Sequence, residues 1–313
     1  MTRAFVFPGQ GSQVIGMGRD LAEAFPTARH LFEEVDDALG QGLARLMFEG
    51  PEDELTLTEN AQPALMAVSM AVLRVLSVDG GINLAKSAAF VAGHSLGEYS
   101  ALTAAGALEL GDTARLLKLR GQAMQVAVPV GEGAMAALLG IEMAQVAEVV
   151  EEAARDEVCA VANDNAPGQI VISGHQAAVE RAIELAKSKG AKRGVLLAVS
   201  APFHCNLMAP AAERMSYALD GVALRRPVVP LVANVTASPE KDPDNLKRLL
   251  VEQVTGMVRW RESVLALRDA GVDTLVELGA GKVLSGLTRR CDRDLKSLNA
   301  ATPSDIEVLL ETF

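Results

Sequence analysis

Short apolar runs alternate along the chain with longer segments of helical periodicity. Three apolar runs closed by turn residues predict buried strands: residues 4–7, 87–94 and 272–279. Four longer segments predict helices: residues 61–76, 113–128, 244–256 and 260–271. Helices that alternate with short buried strands are typical of the α/β class. We therefore predict a mostly parallel sheet covered by helices.

The middle of the chain has a different rhythm. Strand-like and helix-like segments follow one another in the order strand, helix, strand, strand, helix, strand: residues 134–141, 143–155, 158–163, 169–174, 175–190 and 193–200. This βαββαβ order is that of the ferredoxin-like unit. We predict that residues 1–128 and 200–313 form one α/β core, and that residues 129–199 form a ferredoxin-like subdomain inserted into it.

The composition is that of a globular protein with an excess of negative charge. The 313 residues can bury a sizeable core, 50% of them are hydrophobic, and the formal net charge is −11. A chain this acidic does not attract phosphate backbones, and with 4% aromatic residues it offers few surfaces for stacking bases. We expect no nucleic-acid partner, and we expect an acidic protein partner to meet a local basic patch.

Cysteine usage and hydropathy favour a cytoplasmic location. The three cysteines are widely spaced, without a disulfide or metal-ligand pattern: Cys159, Cys205 and Cys291. The first apolar run ends at Pro8, and no secretory segment follows it. The most apolar long stretch, residues 61–76, contains Gln62 and Arg74 and is too short to span a bilayer. We therefore expect no membrane contact.

Residues 93–97 read Gly-His-Ser-Leu-Gly, which is the Gly-x-Ser-x-Gly pattern of a nucleophile elbow. An apolar strand pattern precedes Ser95 and a helix pattern begins at Gly97, which is the context that such an elbow requires. The N-terminus of that helix would help to stabilise developing negative charge. We predict that Ser95 is a nucleophile rather than part of an ordinary glycine-rich turn.

A nucleophilic serine needs a neighbouring base. Of the four histidines, His204 follows a predicted strand and a proline turn, C-terminal to the serine as in hydrolase elbows. No Asp or Glu between Ser95 and His204 follows an apolar strand as the acid of a triad would; Asp112, Asp156 and Asp164 do not. We therefore predict a Ser95–His204 dyad, with a backbone carbonyl as the acceptor for the second ring nitrogen.

The glycine-rich stretch at residues 7–13, FPGQGSQ, is not a nucleotide loop. The third glycine of a dinucleotide fingerprint would fall at position 14, which is Val14, and the Gly-Lys-Ser/Thr ending of a Walker loop is absent. Exposed backbone N–H groups in such a loop suit an oxyanion hole. A nucleophile elbow uses one N–H from an early loop and one from the residue after the nucleophile, here Leu96.

One permanently charged residue, Arg120, lies among apolar neighbours, with Met124 one helical turn further on. This pattern is compatible with an exposed surface arginine. It is equally compatible with a receptor for a substrate carboxylate, because a guanidinium binds a carboxylate in a bidentate manner.

Six stretches in order resemble the malonyl-CoA:acyl carrier protein transacylases of fatty-acid synthesis and the acyltransferase domains of polyketide synthases: FVFPGQGSQ, GHSLGEYSAL, LRGQAMQ, NDNAPGQIVISG, PFHCNLM and VELGAGKVLSGL. Together they cover nearly the whole chain. The resemblance implies a hydrolase-like α/β core with a ferredoxin-like insertion. It also implies malonyl transfer from malonyl-CoA to the phosphopantetheine thiol of acyl carrier protein by a ping-pong mechanism, without metal or redox cofactor.

The resemblance also assigns expected roles to residues. Ser95 is the acylated nucleophile and His204 its base, while the backbone N–H groups of Gln10 and Leu96 form the oxyanion hole. Arg120 matches the arginine that binds the malonyl carboxylate.

Four more positions match the family. Gln253 matches the residue whose backbone carbonyl orients the histidine, and Met124 and Asn163 match positions near the acyl pocket. In related domains a bulky residue at the position of Phe203 accompanies malonyl selection and a small one accompanies methylmalonyl selection. We therefore expect Phe203 to disfavour an α-methyl branch, and partially so, since one methyl group is worth about 1–3 kcal/mol.

Two basic clusters are candidate docking points for the acidic carrier protein. The first basic cluster comprises Lys187, Lys189, Lys192 and Arg193, and the second basic cluster comprises Arg289, Arg290 and Arg293. A solvated helix end is the simpler explanation for either cluster alone. We expect a monomer.

Three alternatives remain open from the sequence. A stand-alone polyketide-type acyltransferase would use the same residues. A serine thioesterase or other hydrolase would share Ser95 and His204 but would not need Arg120. A non-catalytic module that binds carrier protein would form no adduct on Ser95.

Overall fold

The computed structural model describes residues 2–313 and contains two β-sheets flanked by helices. The strands are β1 (Arg3–Phe7), β2 (Phe90–Gly93), β3 (Gly133–Leu139), β4 (Cys159–Ala166), β5 (Gln169–His175), β6 (Arg193–Leu196), β7 (Leu231–Ala233), β8 (Ser238–Glu240), β9 (Thr274–Leu278) and β10 (Lys296–Ala300).

The helices include several short ones near the N-terminus. They are α1 (Arg19–Ala24), α2 (Pro26–Leu39), α3 (Leu43–Glu49), α4 (Glu52–Thr56), α5 (Thr58–Val78), α6 (Leu84–Ser87), α7 (Gly97–Ala104), α8 (Leu110–Val126), α9 (Met143–Ala154), α10 (Gln176–Ser188), α11 (Ala209–Asp220), α12 (Pro243–Thr255), α13 (Trp260–Asp269), α14 (Val283–Cys291) and α15 (Pro303–Leu310). A 3₁₀ turn, Asn206–Met208, precedes α11.

The large sheet has six strands in the order β10-β9-β1-β2-β7-β8 and is parallel except at the β7–β8 edge. Its central strand, β1, is buried on both faces because Ala4, Phe5, Val6 and Phe7 are all apolar. Phe5 and Phe7 pack into the larger helical core, whereas Ala4 and Val6 face the cluster around Trp260. The mostly parallel sheet predicted from the sequence is confirmed.

The small sheet has four strands in the order β4-β5-β3-β6, and all of its pairs are antiparallel. With α9 and α10 it forms the predicted βαββαβ unit, so the fold class is confirmed: an α/β core with a ferredoxin-like insertion. The domain boundaries at residues 129 and 199 stay a prediction.

Two sequence expectations need correction. The strand expected over residues 193–200 ends at Leu196, and residues 197–199 instead line a cavity. The helix expected over residues 61–76 is the 21-residue α5, which extends three residues earlier and two later. It is therefore long enough to cross a bilayer, contrary to the expectation, but 78% of its most apolar window is buried, where it packs on α2, α7 and α8.

The insertion is joined to the core by polar contacts at the end of β4. The backbone N–H of Asp164 donates to the Val258 carbonyl (3.0 Å), and the Val258 N–H donates to the Ala162 carbonyl (2.8 Å). Arg261 of α13 forms an ion pair with the buried carboxylate of Asp164 at 2.7 Å. This junction holds the small sheet beside the carboxyl ends of the large-sheet strands, where ligands bind in open α/β sheets.

Candidate active site

Ser95 occupies a sharp turn between β2 and α7. Its φ is 53°, in the left-handed region that few residues other than glycine adopt. A Cβ atom at Gly93 would overlap the Gly97 carbonyl, and a Cβ at Gly97 would overlap the Phe7 carbonyl. The two glycines of the motif are therefore required by close backbone packing, and the turn projects the serine hydroxyl into the cavity.

The side chain of Asn234, directly after β7, holds the turn at both ends. Its Oδ1 accepts a hydrogen bond from the Ser95 N–H (2.8 Å), and its Nδ2 donates to the Gly93 carbonyl (2.7 Å). Asn234 is fully buried. These bonds satisfy polar groups that the strained turn would otherwise leave unpaired.

The hydrogen bonds of His204 define its tautomer. Its Nδ1 lies 2.8 Å from the Gln253 carbonyl and 3.1 Å from the Gly256 carbonyl, and both oxygens can only accept. The proton is therefore on Nδ1, and the lone pair of Nε2 accepts from the Ser95 hydroxyl at 2.8 Å. No carboxylate takes the place of these carbonyls, and Asp164 is instead paired with Arg261.

The environment of His204 keeps its ring neutral. Burial and, next, the positive charge of Arg120 lower the pKa of His204 to about 3. At neutral pH the Nε2 lone pair is thus available to accept a proton.

Arg120, on α8, is 1% exposed and lies beside the serine. Its Nη1 donates to Gln62 Oε1 (2.7 Å), and its Nη2 donates to Gln253 Oε1 (2.8 Å) and to the Ser95 hydroxyl (3.2 Å). Its Nε has no hydrogen-bond partner within residues 2–313. Since its charged hydrogen bonds go to neutral oxygens, the guanidinium retains capacity to pair with an incoming carboxylate.

Gln253 connects Arg120 to a buried acid. Its Nε2 donates to the Ser95 carbonyl (2.9 Å) and to Glu98 Oε2, a contact that is very short. Burial raises the pKa of Glu98, which is 1% exposed, to about 7. The sequence prediction for Gln253 concerned only its backbone carbonyl, so this side-chain contact was missed.

The loop after β1 approaches the elbow closely. A Cβ atom at Gly9 would lie 2.7 Å from the His94 carbonyl, so glycine is needed there. Gln10 is held by the hydrogen bond from the Thr58 hydroxyl to its Oε1 (2.8 Å), and Thr58 in turn accepts from Gln62 (2.9 Å). Gln10 and Leu96, the two predicted sources of oxyanion-hole N–H groups, both line the cavity next to Ser95.

A cavity of about 360 Å³ collects most of the predicted site residues. They are Gln10, Ser95, Leu96, Arg120, Met124, Asn163, Phe203 and His204. Gln253 lies behind Arg120, outside the lining. Phe203 is 9% exposed and precedes His204, whose φ of 59° turns its ring toward Ser95.

Four further residues shape the site and were missed from the sequence: Gln62, His94, Glu98 and Asn234. His94 Nε2 lies 2.8 Å from Asn165 Oδ1, which connects the elbow to the small sheet. Burial lowers the pKa of His94, so its ring is neutral. In the sequence, a polar residue that lies at the site cannot be distinguished from an ordinary buried polar residue.

The two basic clusters differ in how their charges are compensated. In the first basic cluster, Lys187 pairs with Glu184 (2.6 Å) and Lys189 pairs with Glu148 (3.0 Å), whereas Lys192 and Arg193 are exposed and form no ion pair with a described carboxylate. In the second, Arg289 and Arg293 are exposed and form no ion pair with a described carboxylate, while Arg290 donates to Gln169 (2.7 Å). Across residues 2–313, no group of three His, Cys, Asp or Glu side chains is arranged to hold a metal ion.

A family model described as acyl transferase domain matches residues 4–304. The chain belongs to the acyl transferase domain family. The resemblance predicted from the six motifs is therefore confirmed, and the protein is an acyltransferase.

Relatives of this acyl transferase domain match it along nearly their whole length. A malonyl CoA-acyl carrier protein transacylase of Bacillus subtilis is 47% identical over 311 residues, which covers 99% of this chain and 96% of the relative. The crystal structure of an acyl-carrier-protein S-malonyltransferase from Bartonella henselae is 59% identical, with a TM-score of 0.97 over 100% of this chain and 99% of that one.

One further solved structure includes a partner. A malonyl transacylase in complex with its type II polyketide synthase acyl carrier protein is 42% identical to this acyl transferase domain. Its TM-score is 0.97, and the match covers 100% of both chains.

Proposed function

We propose that this acyltransferase moves the malonyl group from malonyl-CoA to the phosphopantetheine thiol of acyl carrier protein, for fatty-acid synthesis. The observation that carries the proposal is the buried guanidinium of Arg120, 3.2 Å from the Ser95 hydroxyl and hydrogen-bonded to neutral oxygens. An acyl group attached to Ser95 would find this cation beside it, so an acyl group with its own carboxylate is favoured. The names of the relatives agree with this substrate.

The first half-reaction forms an ester on Ser95. The serine oxygen attacks the thioester carbonyl while Nε2 of His204 takes its proton, and the carbon–sulfur bond of malonyl-CoA then breaks. The proton passes from His204 to the departing sulfur, which leaves as the CoA thiol. The backbone N–H groups of Gln10 and Leu96 stabilise the negative oxygen of the tetrahedral intermediate.

The second half-reaction reverses these steps with a different thiol. Neutral His204 takes the proton of the phosphopantetheine thiol, whose sulfur attacks the ester carbonyl. The bond from that carbon to the Ser95 oxygen breaks, and His204 returns the proton to the serine. The ion pair between Arg120 and the malonyl carboxylate holds the ester in place until the thiol arrives. No step of this scheme calls for a metal or redox cofactor.

The setting of the reaction follows from the same proposal. Since malonyl-CoA and carrier protein are its substrates, we place the enzyme in the cytoplasm and expect it to act as a monomer without nucleic acid or membrane. The resemblance to a polyketide-type transacylase keeps a specialised pathway as the alternative destination of the malonyl group.

Intact-protein mass spectrometry after brief mixing with malonyl-CoA tests the proposal. Wild type should gain one malonyl group, which persists in water and disappears when phosphopantetheinylated carrier protein is added. Ser95→Ala, the matched control, should gain none. Accumulation of free malonate without a lasting adduct would instead make the protein a hydrolase. No adduct and no turnover would leave only a carrier-protein-binding module.

A further inference from the structure

The buried carboxylate of Glu98 is separated by one intervening side chain from the guanidinium of Arg120, which lines the cavity. Glu98 does not line the cavity, and no ion pair joins it to Arg120 among residues 2–313. Instead the Gln253 side chain lies between them: its Oε1 accepts from Arg120, and its Nε2 donates to Glu98. Glu98 is thus coupled to Arg120 through a single neutral amide.

The hydrogen bonds around Gln253 allow only one orientation of its amide. On one side Arg120 offers a donor, so the amide oxygen must face it. On the other side three acceptors face the amide nitrogen, from Glu98, the Ser95 carbonyl and Asn234 Oδ1 (3.3 Å). A flipped amide would place a donor against Arg120 and an oxygen against three oxygens.

Glu98 is the strongest of these acceptors, and both of its oxygens are used. Its Oε1 accepts the backbone N–H of Asn234 (3.0 Å), the residue that holds the elbow, while Oε2 accepts from Gln253. Two donors therefore depend on the two oxygens of one carboxylate. A glutamine in its place has one oxygen and cannot serve both donors.

We propose that Glu98 is a positioning residue for substrate selection: it fixes the Gln253 amide so that this amide holds the Arg120 guanidinium beside Ser95. Glu98 acts through Gln253 and does not touch the acyl group. The proposal rests on the malonyl-transferase function proposed above. It attributes selection of a carboxylated acyl group to three hydrogen-bonded residues, Glu98, Gln253 and Arg120, rather than to Arg120 alone.

The expected consequence of Glu98→Gln is a loss of discrimination. If the new amide turns its oxygen to the Asn234 N–H, its NH₂ group meets the NH₂ of Gln253, which then flips and presents a donor to Arg120. Displacing the guanidinium should lower loading of Ser95 by malonyl-CoA more than loading by acetyl-CoA. We expect the malonyl-to-acetyl ratio of kcat/KM to fall about tenfold, as for loss of one hydrogen bond to a charged group.

Glu277→Gln is the matched control. Glu277 is also a buried glutamate that accepts two backbone N–H groups, from Leu284 (3.0 Å) and Ser285 (2.7 Å), but neither group belongs to the cavity lining. Its substitution should leave the malonyl-to-acetyl ratio unchanged. An equal fall of both rates in Glu98→Gln, or an unchanged ratio, would overturn the proposal.

A double-variant cycle tests whether Glu98 acts through Gln253. Gln253→Met removes the amide but keeps the backbone carbonyl that accepts from His204. It should lower the ratio by itself, and adding Glu98→Gln should then change the ratio no further. If each substitution instead lowered the ratio by its own factor, and the two factors multiplied in the double variant, the proposed contacts from Glu98 through Gln253 to Arg120 would be contradicted.

The pH dependence of the malonyl-to-acetyl ratio in wild type tests the proposal without any substitution. The charged or titratable groups that act on Glu98 are Arg120 on α8 and Tyr99 on α7, while Gln253 on α12 and Asn234 after β7 are neutral. Burial raises the pKa of Tyr99 to about 12 and lowers the pKa of both histidines of the site, that of His204 to about 3, so Glu98, with its pKa raised to about 7, is the group that titrates near pH 7.

Above pH 7 Glu98 is ionised and accepts from both donors, so the malonyl-to-acetyl ratio should fall by up to about tenfold from pH 8 to pH 6. The ratio should be flat in Glu98→Gln. Both substrates carry the same CoA moiety, whose own titration cancels in the ratio. A malonyl-to-acetyl ratio in Glu98→Gln that equals the wild-type ratio at every pH overturns the proposal, whereas failure of wild type to form any malonyl adduct overturns the proposed function itself.

Discussion

The buried charge of Arg120 is solvated by side-chain oxygens of glutamine and serine rather than neutralised by a carboxylate. Burial lowers the pKa of this guanidinium from its usual value, yet an arginine stays protonated at any physiological pH. At the residue scale the cavity therefore holds a cation with no carboxylate in direct contact, and a neutral histidine, beside one serine. An anionic acyl group would supply that contact.

Arg120→Ala should remove selectivity for the carboxylated acyl group more than it removes acyl transfer. Loss of one partner of a buried ion pair costs about 3–5 kcal/mol, so malonyl loading should fall a hundredfold or more. Acetyl loading should change much less. Stopped-flow or quenched loading of Ser95 with each CoA ester measures both rates. Arg120→Lys, which keeps the positive charge but not the bidentate geometry, is the control. Equal losses of malonyl and acetyl loading in Arg120→Ala would refute the assigned role.

We expect the Phe203 side chain to disfavour binding of an acyl group with an α-methyl branch in the cavity. Phe203→Ser should raise loading by methylmalonyl-CoA relative to malonyl-CoA by about tenfold, because one methyl group in an apolar pocket is worth about 1–3 kcal/mol. Competition between the two esters, followed by the mass of the adduct on Ser95, gives the ratio directly. Wild type that loads both esters equally fast would show that Phe203 does not discriminate.

Residues with a sequence signature could be assigned from the sequence, and residues that act through packing could not. Ser95 has its glycine-rich turn, and His204 stands out among only four histidines. Glu98 lies in the stretch GHSLGEYSAL and Asn234 lies outside all six stretches, but neither pattern indicates a role, because the contact that joins them links residues 136 positions apart. The backbone carbonyl expected at the second ring nitrogen of His204 has no sequence signature either, and in the structure two carbonyls, of Gln253 and Gly256, face Nδ1.

At the element scale, helix ends and strand ends position the polar groups. The motif VELGAGKVLSGL contributes no residue to the cavity at Ser95; it ends β9 and begins α14. The carboxylate of Glu277, at the end of β9, accepts the free N–H groups of Leu284 and Ser285 in the first turn of α14. A buried acid thus joins strand and helix.

Removing one of those acceptors should weaken the fold but not the chemistry. Glu277→Gln should lower the free energy of unfolding by about 1–3 kcal/mol, because a buried N–H group is left unpaired. Denaturant titration measures the loss. The rate of Ser95 loading per folded molecule should stay within twofold of wild type, and a larger drop would mean that α14 helps to shape the cavity.

The strongly periodic elements were predictable, and short or edge elements were not. The segments predicted as long helices are α5, α8, α9, α10, α12 and α13 in the structure, whereas α11, α14 and α15 were not predicted. Strand β10, with its half-buried sequence KSLNA, has no alternation to reveal it. Helices α1, α3 and α4, of five to seven residues, are too short for a periodic run. Helix α2 has 14 residues with buried apolar residues on one face (Ala28, Leu31, Phe32 and Val35), and it was missed from the sequence. The end of β6 could not be predicted because residues 197–199 continue the same apolar pattern while leaving the sheet to line the cavity.

At the scale of the whole molecule, the cavity lies where the two sheets meet. The small sheet contributes Met135 and Asn163, and the large core contributes Ser95, Arg120 and His204. The contacts between Asp164, Val258 and Arg261 fix the two parts to one another. A carrier protein must therefore deliver its thiol to the mouth of a cleft between two subdomains of an acidic protein.

The unpaired arginines of the second basic cluster should contribute to docking of an acidic carrier protein. Arg289→Glu with Arg293→Glu should raise the KM for carrier protein several-fold, more at low salt, because exposed charges act over about 10 Å at 0.1 M ionic strength. Lys187→Glu is the control, since Glu184 already compensates that lysine. The KM for malonyl-CoA should not change. An unchanged carrier-protein KM at both salt concentrations would exclude this docking point.

The strand order also sets when the molecule can be completed during synthesis. β1 is made first, yet it pairs on one side with β2 and on the other with β9, where Ala4 lies opposite Leu275. The second edge of this buried central strand is covered only after residues 274–278 have left the ribosome. The helix whose Gln253 carbonyl accepts from His204 also emerges late, at residues 243–255, so in a shorter nascent chain Ser95 and His204 are present but this contact is not.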